Sequence, residues 1–257
     1  MGETRQRRWA AALAALGYAL IPVAALSLAG VVAGVAASQA RPLSDSAAMV
    51  VQIVAMAVSI CVGVPLARRY GGFRGIGICR PRRGWLARIW WLAPLAAVEA
   101  AAFLAGLDLD GAGVPFVLLA VFCAVVGFHE ELYFRGLVAA CLRRFGWRAM
   151  AYGSAFLFGI GHAAQAASGN ESTAYVAVQI GFAFLFGVVA LEIFMLTGSL
   201  WPVIAWHAVH DVIAQITVNS VTGMAGVACA AQGAILLATA IAWWKRAKTH
   251  SDCAPRR

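Results

Sequence analysis

The sequence predicts an all-α polytopic membrane protein with about eight transmembrane helices. Of its 257 residues, 62% are hydrophobic and the mean hydropathy is +0.81, whereas soluble globular domains contain roughly 45–50% apolar residues. Apolar stretches near or above the ~20 residues that cross a bilayer also fill most of the chain. Little sequence remains for a soluble domain, so we expect residues 1–257 to form a single integral membrane domain.

The apolar runs between charged or turn-forming breaks define the individual spans. Their length favours helices, because strands are usually much shorter. The predicted spans are residues 9–37, 47–67, 86–107, 113–142, 149–167, 173–196, 200–218 and 224–244. An even number of spans places both termini on the same side of the membrane.

The basic residues indicate which side that is, because Lys and Arg accumulate in cytoplasmic loops. Of the 20 Lys and Arg residues, 18 fall at the termini or in loops on the side of the termini. The exceptions are Arg41, in the first loop on the opposite side, and Arg135, inside the fourth span. We therefore predict cytoplasmic termini. The net charge of +9 reflects this topology, and no nucleic-acid partner is expected.

Several ionisable residues interrupt the apolar spans, although each charged group near the bilayer centre costs at least ~2.5–3.5 kcal/mol on insertion scales. The residues are Glu130, Glu131 and Arg135 in the fourth span, His162 at the end of the fifth, and His207 and Asp211 in the seventh. Intramembrane ionisable residues are usually functional, so these are the candidate site residues.

Helical geometry sorts these groups into faces, because residues four apart share a face whereas adjacent residues diverge by about 100°. Glu131 and Arg135 can therefore pair within their own helix, while Glu130 points elsewhere. His207 and Asp211 can likewise lie side by side.

The three spans can also bring their polar groups to a similar depth. Glu130 lies 13 residues before Arg143, and His162 lies 14 residues after Arg148. At 1.5 Å per residue, each is roughly 20 Å from the cytoplasmic edge. A network that only joins helices by hydrogen bonds is the simpler alternative. The concentration of two carboxylates, an arginine and several histidines on three helices favours an active site.

These residues resemble the three motifs of a known family. Glu-Glu-Leu-Tyr-Phe-Arg-Gly at residues 130–136 is similar to the EExxxR motif of the CPBP intramembrane proteases, which include type II CAAX prenyl endopeptidases and bacterial Abi proteins. Phe158-x-x-x-His162 resembles the second motif and His207-x-x-x-Asp211 the third. The resemblance covers a family-like catalytic core of about residues 113–218. The three motifs in order are more specific than EExxxRG alone.

The resemblance implies eight helices that enclose an intramembrane catalytic chamber open toward the cytoplasm. It also implies an endopeptidase that hydrolyses a peptide bond in a membrane-anchored or lipidated substrate. The short loops are more typical of a prokaryotic member, so we expect the bacterial inner (plasma) membrane. Substrate identity, prenylation of the substrate and oligomeric state stay open.

The resemblance further implies a role for each motif residue. Glu130 would be the general base that activates water, assisted by His162. His207 and Asp211 would stabilise the oxyanion, and the Glu131–Arg135 pair of the fourth span would hold the chamber in shape. Many family members carry Asn at the position of Asp211, and an Asp donates a hydrogen bond only when protonated. The alternative is that His207 stabilises the oxyanion alone while Asp211 orients it.

A metal-dependent mechanism also stays open. The sequence has no HExxH motif, but Glu130, His162 and His207 could supply three ligands to a divalent metal such as zinc, with water in the fourth position. The favoured interpretation requires no cofactor, because Glu130 itself would activate the water.

Four further ionisable residues lie in spans without matching the motifs. His129 and His210 are interpreted as packing or hydrogen-bonding residues. Glu192, near the cytoplasmic end of the sixth span, is expected to extend its carboxylate to the interface. Glu99 lies deeper in the third span, and its role stays open.

Two functions from other classes also fit a cluster of carboxylates and histidines at mid-membrane. A proton- or ion-coupled transporter uses such groups, although its usual inverted repeats and broken helices are not evident in the sequence. A non-catalytic scaffold or immunity-type protein could retain the same fold. The intact motifs favour the peptidase.

Overall fold

The computed structural model describes residues 2–38, 43–85, 92–109, 114–164 and 172–252, which form a helical bundle. Within the described chain, extended pairing is limited to an isolated antiparallel bridge between Leu107 and Thr217. We number the long helices α1 to α8. They are α1 (Gly2–Ser38), α2 (Asp45–Ala67), α3 (Ala93–Ala102), α4 (Phe116–Glu131), α5 (Trp147–Gly161), α6 (Thr173–Thr197), α7 (Trp201–Gln215) and α8 (Gly223–Asp252). The predicted all-α polytopic fold is confirmed.

The helices differ in their ability to cross a bilayer alone. Five segments of the described chain are long and apolar enough to do so: Gln6–Ala36, Asp45–Tyr70, Phe116–Phe145, Thr173–Thr197 and Gly223–Ala247. Helices α3, α5 and α7 have only 10, 15 and 15 residues, fewer than the ~20 that span the hydrocarbon core. Because α5 and α7 carry candidate site residues, the shorter helices coincide with the polar part of the bundle.

Several predicted boundaries are wrong by more than two residues. Helix α1 begins at Gly2 and α8 continues to Asp252, because the basic ends of both spans continue as helix. Helix α7 ends at Gln215 instead of residue 218, since the next residues pair with the chain after α3. The predicted limits at residues 86, 113 and 167, together with Arg41, lie outside the described residues.

The bundle has two faces, which we name by the position of the chain ends. The terminal face carries both termini: Arg144 donates a hydrogen bond to the Arg7 carbonyl at 2.9 Å, and the rings of Trp147 and Trp244 lie 3.9 Å apart. The turn between α6 and α7 lies here too, since the Arg82 side chain donates to the Met195 carbonyl at 3.1 Å. These contacts agree with the predicted even number of crossings.

The distal face is the opposite end of the bundle. Here the chain after α3 meets the chain after α7: the Asp108 amide donates to the Ile216 carbonyl at 2.9 Å, and the Val218 amide donates to the Gly106 carbonyl at 3.1 Å. Asn219 also donates a hydrogen bond to the Tyr175 hydroxyl at 2.6 Å, near the start of α6. The turn at residues 216–222 is therefore fixed between α3 and α6.

Helix α4 is central to the bundle and does not remain a regular α-helix. It contacts α2 and α7, and it continues beyond Glu131 as a π-helical segment, Leu132–Val138, in which every residue is buried. The α-helical geometry that the sequence predicts for this span is therefore wrong for Leu132–Val138, and the α-helix resumes at Ala139–Leu142. A π-helix changes the i to i−4 hydrogen-bond pattern of the α-helix. Within the segment, the Phe134 carbonyl accepts a hydrogen bond from the Ser154 hydroxyl of α5 at 2.7 Å. Such segments are frequent at functional sites.

Candidate active site

An ion pair and a hydrogen bond meet at the last residue of α4. Glu131 Oε1 lies 3.0 Å from Arg135 Nη1 and 2.8 Å from His207 Nδ1. The predicted pairing of Glu131 with Arg135 is present. Because a carboxylate only accepts hydrogen bonds, His207 Nδ1 must carry the proton and donate it. Glu131 thereby fixes the orientation of the His207 ring.

Arg135 is the largest fully buried side chain of the described protein, with 0% of its surface exposed. Its guanidinium lies 4.1 Å from the centroid of the Phe158 ring, a cation–π distance. A β-carbon added to Gly187 would lie 3.1 Å from Arg135 Nη2 and 3.0 Å from the Ala155 Cα atom. Gly187 therefore allows α5 and α6 to approach closely around the guanidinium.

The second ring nitrogen of His207 faces two carboxyl groups. Nε2 lies 3.5 Å from Glu130 Oε2 and 3.7 Å from Asp211 Oδ1. With Nδ1 already protonated, a neutral His207 would direct its Nε2 lone pair at two carboxyl oxygens. The arrangement therefore requires a proton on Nε2 or on one of these carboxyl groups. The sequence predicted that Asp211 lies beside His207, but the closer partner that orients the ring is Glu131.

Glu130 and Glu131 are adjacent in sequence and differ in environment. The Glu131 side chain is fully buried, whereas the Glu130 side chain keeps 14% of its surface exposed. Glu131 contacts Arg135 at 3.0 Å and His207 at 2.8 Å, while Glu130 contacts His207 at the longer distance of 3.5 Å. Of the two carboxylates, Glu130 is thus the one that water can reach.

His162 lies just beyond the C-terminal end of α5. Its Nδ1 atom is 3.0 Å from the Phe158 carbonyl oxygen. Since a carbonyl can only accept, Nδ1 is the donor, and the neutral ring keeps its lone pair on Nε2. The Phe158 ring contacts His162 edge-on at 4.9 Å and His207 at 6.0 Å. This ring thus links the second and third motifs.

Close approach of α4 and α7 depends on Gly127. A β-carbon at this position would lie 3.1 Å from the Ile204 carbonyl oxygen, 3.2 Å from the Ala208 nitrogen and 3.4 Å from the His207 β-carbon. These distances are shorter than most real β-carbon contacts. Gly127, three residues before the first glutamate of the EExxxR motif, therefore lets α7 bring His207 against α4.

A cavity of about 220 Å³ adjoins these residues. His162, His207, His210 and Asp211 line it, with Phe158 between the first two. Glu130, Glu131 and Arg135 are not among the lining residues, and Glu130 Oε2 lies 3.5 Å from Nε2 of the lining residue His207. The remaining lining residues come from the distal ends of α3, α6, α7 and α8 and from the turn at 217–221. The cavity therefore opens at the distal face.

A second polar cluster adjoins the same cavity, and the sequence analysis did not identify it. Glu99 of α3 accepts a hydrogen bond from Trp206 Nε1 at 2.8 Å, and its carboxylate lies 3.1 Å from His210 Nδ1. The His210 ring stacks on Phe182 at 5.5 Å. The sequence contained one indication of this cluster, because Trp206 and His210 are four residues apart and share a face of α7. The partner on α3 could not be chosen from the sequence.

His129 and Glu192 lie away from the cavity wall. His129 Nε2 is 2.9 Å from the Ser59 hydroxyl, and its ring packs edge-on against Tyr133, so the predicted packing and hydrogen-bonding contacts are present. The expectation for Glu192 is wrong, because its side chain is 0% exposed and neither carboxyl oxygen has a hydrogen-bond partner in the described part of the chain. Helix α6 is buried at this position, which prevents extension to the interface.

The alternative zinc site is not formed by the described side chains. Among the residues that the structure describes, no group of three or more His, Cys, Asp or Glu side chains is arranged to hold a metal ion. Glu130, His162 and His207 therefore do not fit a shared metal in this arrangement.

Comparisons with known proteins agree with the motifs. Residues 112–213 match the family model of the Rce1-like type II CAAX prenyl endopeptidases. This segment contains all the residues of the three motifs, so the resemblance to the CPBP intramembrane proteases is confirmed. No curated protein matches the chain. No solved structure matches it either.

Proposed function

We propose that the chain cleaves peptide bonds with Glu130 as general base. Its Rce1-like type II CAAX prenyl endopeptidase domain, at residues 112–213, supports a CAAX-type intramembrane protease. The observation that carries this proposal is the contrast between two adjacent glutamates. Glu131 is fully buried between Arg135 and His207, whereas Glu130 keeps 14% of its side chain exposed next to His207. A base must reach water, so Glu130 suits the catalytic role and Glu131 the positioning role.

Water activation would involve Glu130 and His162. The Glu130 carboxylate accepts a proton from the attacking water, and the free Nε2 lone pair of His162 accepts its second hydrogen bond. The hydrogen bond from His162 Nδ1 to the Phe158 carbonyl supports this role, because it fixes the tautomer that leaves Nε2 as an acceptor. Both residues then orient one oxygen lone pair of the water toward the substrate carbonyl.

His207 would stabilise the oxyanion. Its Nδ1 proton is held by Glu131 at 2.8 Å, and a proton on Nε2 is favoured by Glu130 at 3.5 Å. The Nε2–H group can donate to the substrate oxygen as negative charge develops there. Asp211 Oδ2 is buried without a hydrogen-bond partner among the described residues. A protonated Asp211 would add a second donor, which is the role that Asn has at this position in many family members.

Glu130 both takes the proton from water and gives it to the leaving nitrogen. Water oxygen forms a bond with the carbonyl carbon as Glu130 takes its proton. When the tetrahedral intermediate collapses, the C–N bond breaks and Glu130 returns this proton to the leaving nitrogen. The products are a carboxylic acid and an amine, and no metal takes part in the proposed mechanism.

The substrate we propose is a membrane-anchored or lipidated peptide. The cavity lies within the helical bundle, and aromatic residues such as Phe158, Phe182 and Phe186 form part of its wall. Such a wall favours an apolar segment over a soluble, highly charged one. Among the alternatives, the family match favours hydrolysis over transport or a scaffold role.

The test compares new peptide N-termini in membranes of cells that express the parent protein or Glu130→Gln. Cleavage products should be present with the parent and absent with the variant, although both proteins accumulate to the same level. Glu192→Gln is the matched control, because it makes the same chemical change at a glutamate that does not line the cavity, and it should retain the parent's products. Identical products with Glu130→Gln would refute the role of Glu130.

A further inference from the structure

Three of the described residues that line the cavity are histidines, and the proposed mechanism gives a role to two of them, His162 and His207. Both have their Nδ1 atom next to an acceptor of the protein, at 3.0 and 2.8 Å, which leaves Nε2 for water or substrate. The third, His210, repeats this arrangement, because its Nδ1 atom lies 3.2 and 3.1 Å from the two carboxylate oxygens of Glu99. Its Nε2 atom is therefore also left for a ligand.

Glu99 holds the His210 ring in one tautomer. Its carboxylate accepts a hydrogen bond at 2.8 Å from Trp206 Nε1, a group that can only donate. An ionised carboxylate only accepts, so Nδ1 of His210 carries the proton and Nε2 keeps its lone pair. The ring is also held at its face, because it stacks on Phe182 at 5.5 Å with an interplanar angle of 14°. His210 keeps 14% of its side chain exposed and therefore offers the cavity an oriented hydrogen-bond acceptor.

A second acceptor lies on the neighbouring helix α6. Gln179 lines the cavity, and its Oε1 atom is buried without a hydrogen-bond partner in the described part of the chain. Gln179 is three residues before Phe182, so both side chains share the face of α6 that packs on His210. Buried amide oxygens are nearly always paired in proteins, and a ligand that donates a hydrogen bond would explain this one.

Both groups accept hydrogen bonds, and this property determines what they can bind. The backbone of a peptide carries an N–H donor at every residue except proline, and in an extended segment these donors are free to bind a protein. We propose that His210 and Gln179 accept hydrogen bonds from backbone N–H groups of the substrate and hold it extended beside the catalytic residues. Glu99 is then a positioning residue that acts through His210. This proposal deepens the proposed function and rests on it.

Recognition through the backbone determines how selective these contacts are. Because the N–H group is common to all residues except proline, His210 and Gln179 would select an unwound segment and not a particular side chain. The adjoining wall is apolar, since Phe182 and Phe186 lie 5.5 and 5.2 Å from the His210 ring. The substrate class that fits is an apolar, locally extended segment without proline at the bound positions.

The first experiment measures binding of a fluorescent, N-palmitoylated peptide of neutral residues to purified Glu130→Gln. The peptide is compared with a series of esters in which one backbone N–H at a time is replaced by oxygen, which removes the donor without adding bulk. We expect one ester to bind about fivefold more weakly, the equivalent of one neutral hydrogen bond. In Glu130→Gln/His210→Phe the amide and this ester should bind equally, because phenylalanine keeps a ring against Phe182 and lacks the nitrogen.

Gln179→Leu in the same background should remove the sensitivity to an ester at a second position. If every ester affects His210→Phe and Gln179→Leu as much as it affects Glu130→Gln alone, the proposal is overturned. With Glu130 intact, His210→Phe should raise KM about fivefold at an unchanged kcat, as loss of uniform binding does; a loss confined to kcat would contradict a binding role. Cleavage of the peptide by Glu130→Gln at the parent's rate would instead refute the proposed function, whereas the ester comparison tests His210 and Gln179 alone.

The second experiment tests the positioning role of Glu99 without substrate. The chain has five histidines, so selective ¹⁵N labelling of their rings gives few NMR signals, and those lost in His210→Phe belong to His210. We expect a protonated Nδ1 and an unprotonated Nε2 at His210 in the parent. The opposite tautomer should gain population in Glu99→Leu, because the acceptor of the Nδ1 proton is removed. An unprotonated Nδ1 in the parent would overturn the role of Glu99, whether or not Glu99→Leu folds.

Discussion

Removal of the Glu131 carboxylate should destabilise the protein strongly, and removal of its neighbour Glu130 should not. In Glu131→Ala, Arg135 would remain fully buried without the carboxylate that lies 3.0 Å from Nη1, and His207 Nδ1 would lose its acceptor at 2.8 Å. Removal of one partner from a buried ion pair costs about 3–5 kcal/mol. The contact of Arg135 with the Phe158 ring remains, so we expect the lower part of this range.

Glu130→Ala is the matched control, because it removes the same side chain from the next position of the same helix. Glu130 is partly exposed, and its nearest charged partner is His207 at 3.5 Å. This contact is longer than the 2.8 Å one to Glu131, and Glu130 has no ion pair with Arg135, so its removal should cost less stability than removal of Glu131. Both variants should lose cleavage, Glu130→Ala through chemistry and Glu131→Ala through loss of the folded site.

The assay is reversible unfolding of the purified variants in mixed detergent micelles, followed by tryptophan fluorescence. The free energies of unfolding should differ by at least 2 kcal/mol between the two variants. Equal stability of Glu131→Ala and the parent would mean that Arg135 can stay buried without the Glu131 carboxylate at no cost in free energy. A large loss in Glu130→Ala would refute the division of the two glutamates into catalytic and positioning residues.

Three further experiments test the packing at Gly187, the buried Glu192 carboxyl and the second polar cluster. Gly187→Ala should lower the free energy of unfolding by about 1–3 kcal/mol, because its methyl group would lie 3.0 Å from the α5 backbone. Gly181→Ala on the same helix meets nothing within 4 Å and should be neutral or stabilising, so equal destabilisation by both would contradict the argument. Glu192→Met should stabilise the protein by about 1 kcal/mol, since a buried carboxyl without a partner is unfavourable; lower stability would reveal a missed partner. A double-mutant cycle of Glu99→Gln and His210→Ala should give a coupling energy of about 0.5–3 kcal/mol, and additive effects would exclude their interaction.

The sequence predicted which residues meet, because spacing and depth are readable along a helix. The separation of four residues correctly paired Glu131 with Arg135 and brought Asp211 beside His207. Both chain ends lie at the same face of the bundle, as an even number of spans requires. Three polar segments at a similar depth were sufficient to predict one site on three spans.

The sequence did not predict which partner each group selects, since that depends on packing between helices. His207 could have been oriented by Asp211 on its own helix, but the close approach at Gly127 brings Glu131 within 2.8 Å of Nδ1. The π-helical segment after Glu131 left no recognisable pattern in a single sequence. Burial of Glu192 was missed for a similar reason, because the helices that cover α6 are set by the tertiary fold.

The central claim is that Glu130 activates water without a metal ion. The most direct test is the cleavage rate of a lipid-anchored peptide by the purified protein after dialysis against a strong chelator, with Glu130→Gln and Glu192→Gln in parallel. The account predicts that the parent and Glu192→Gln keep their full rates in chelator, while Glu130→Gln loses at least a hundredfold, in line with the effect of removing a general base. Loss of parent activity in chelator and its recovery with zinc, or full activity in Glu130→Gln, would contradict the account.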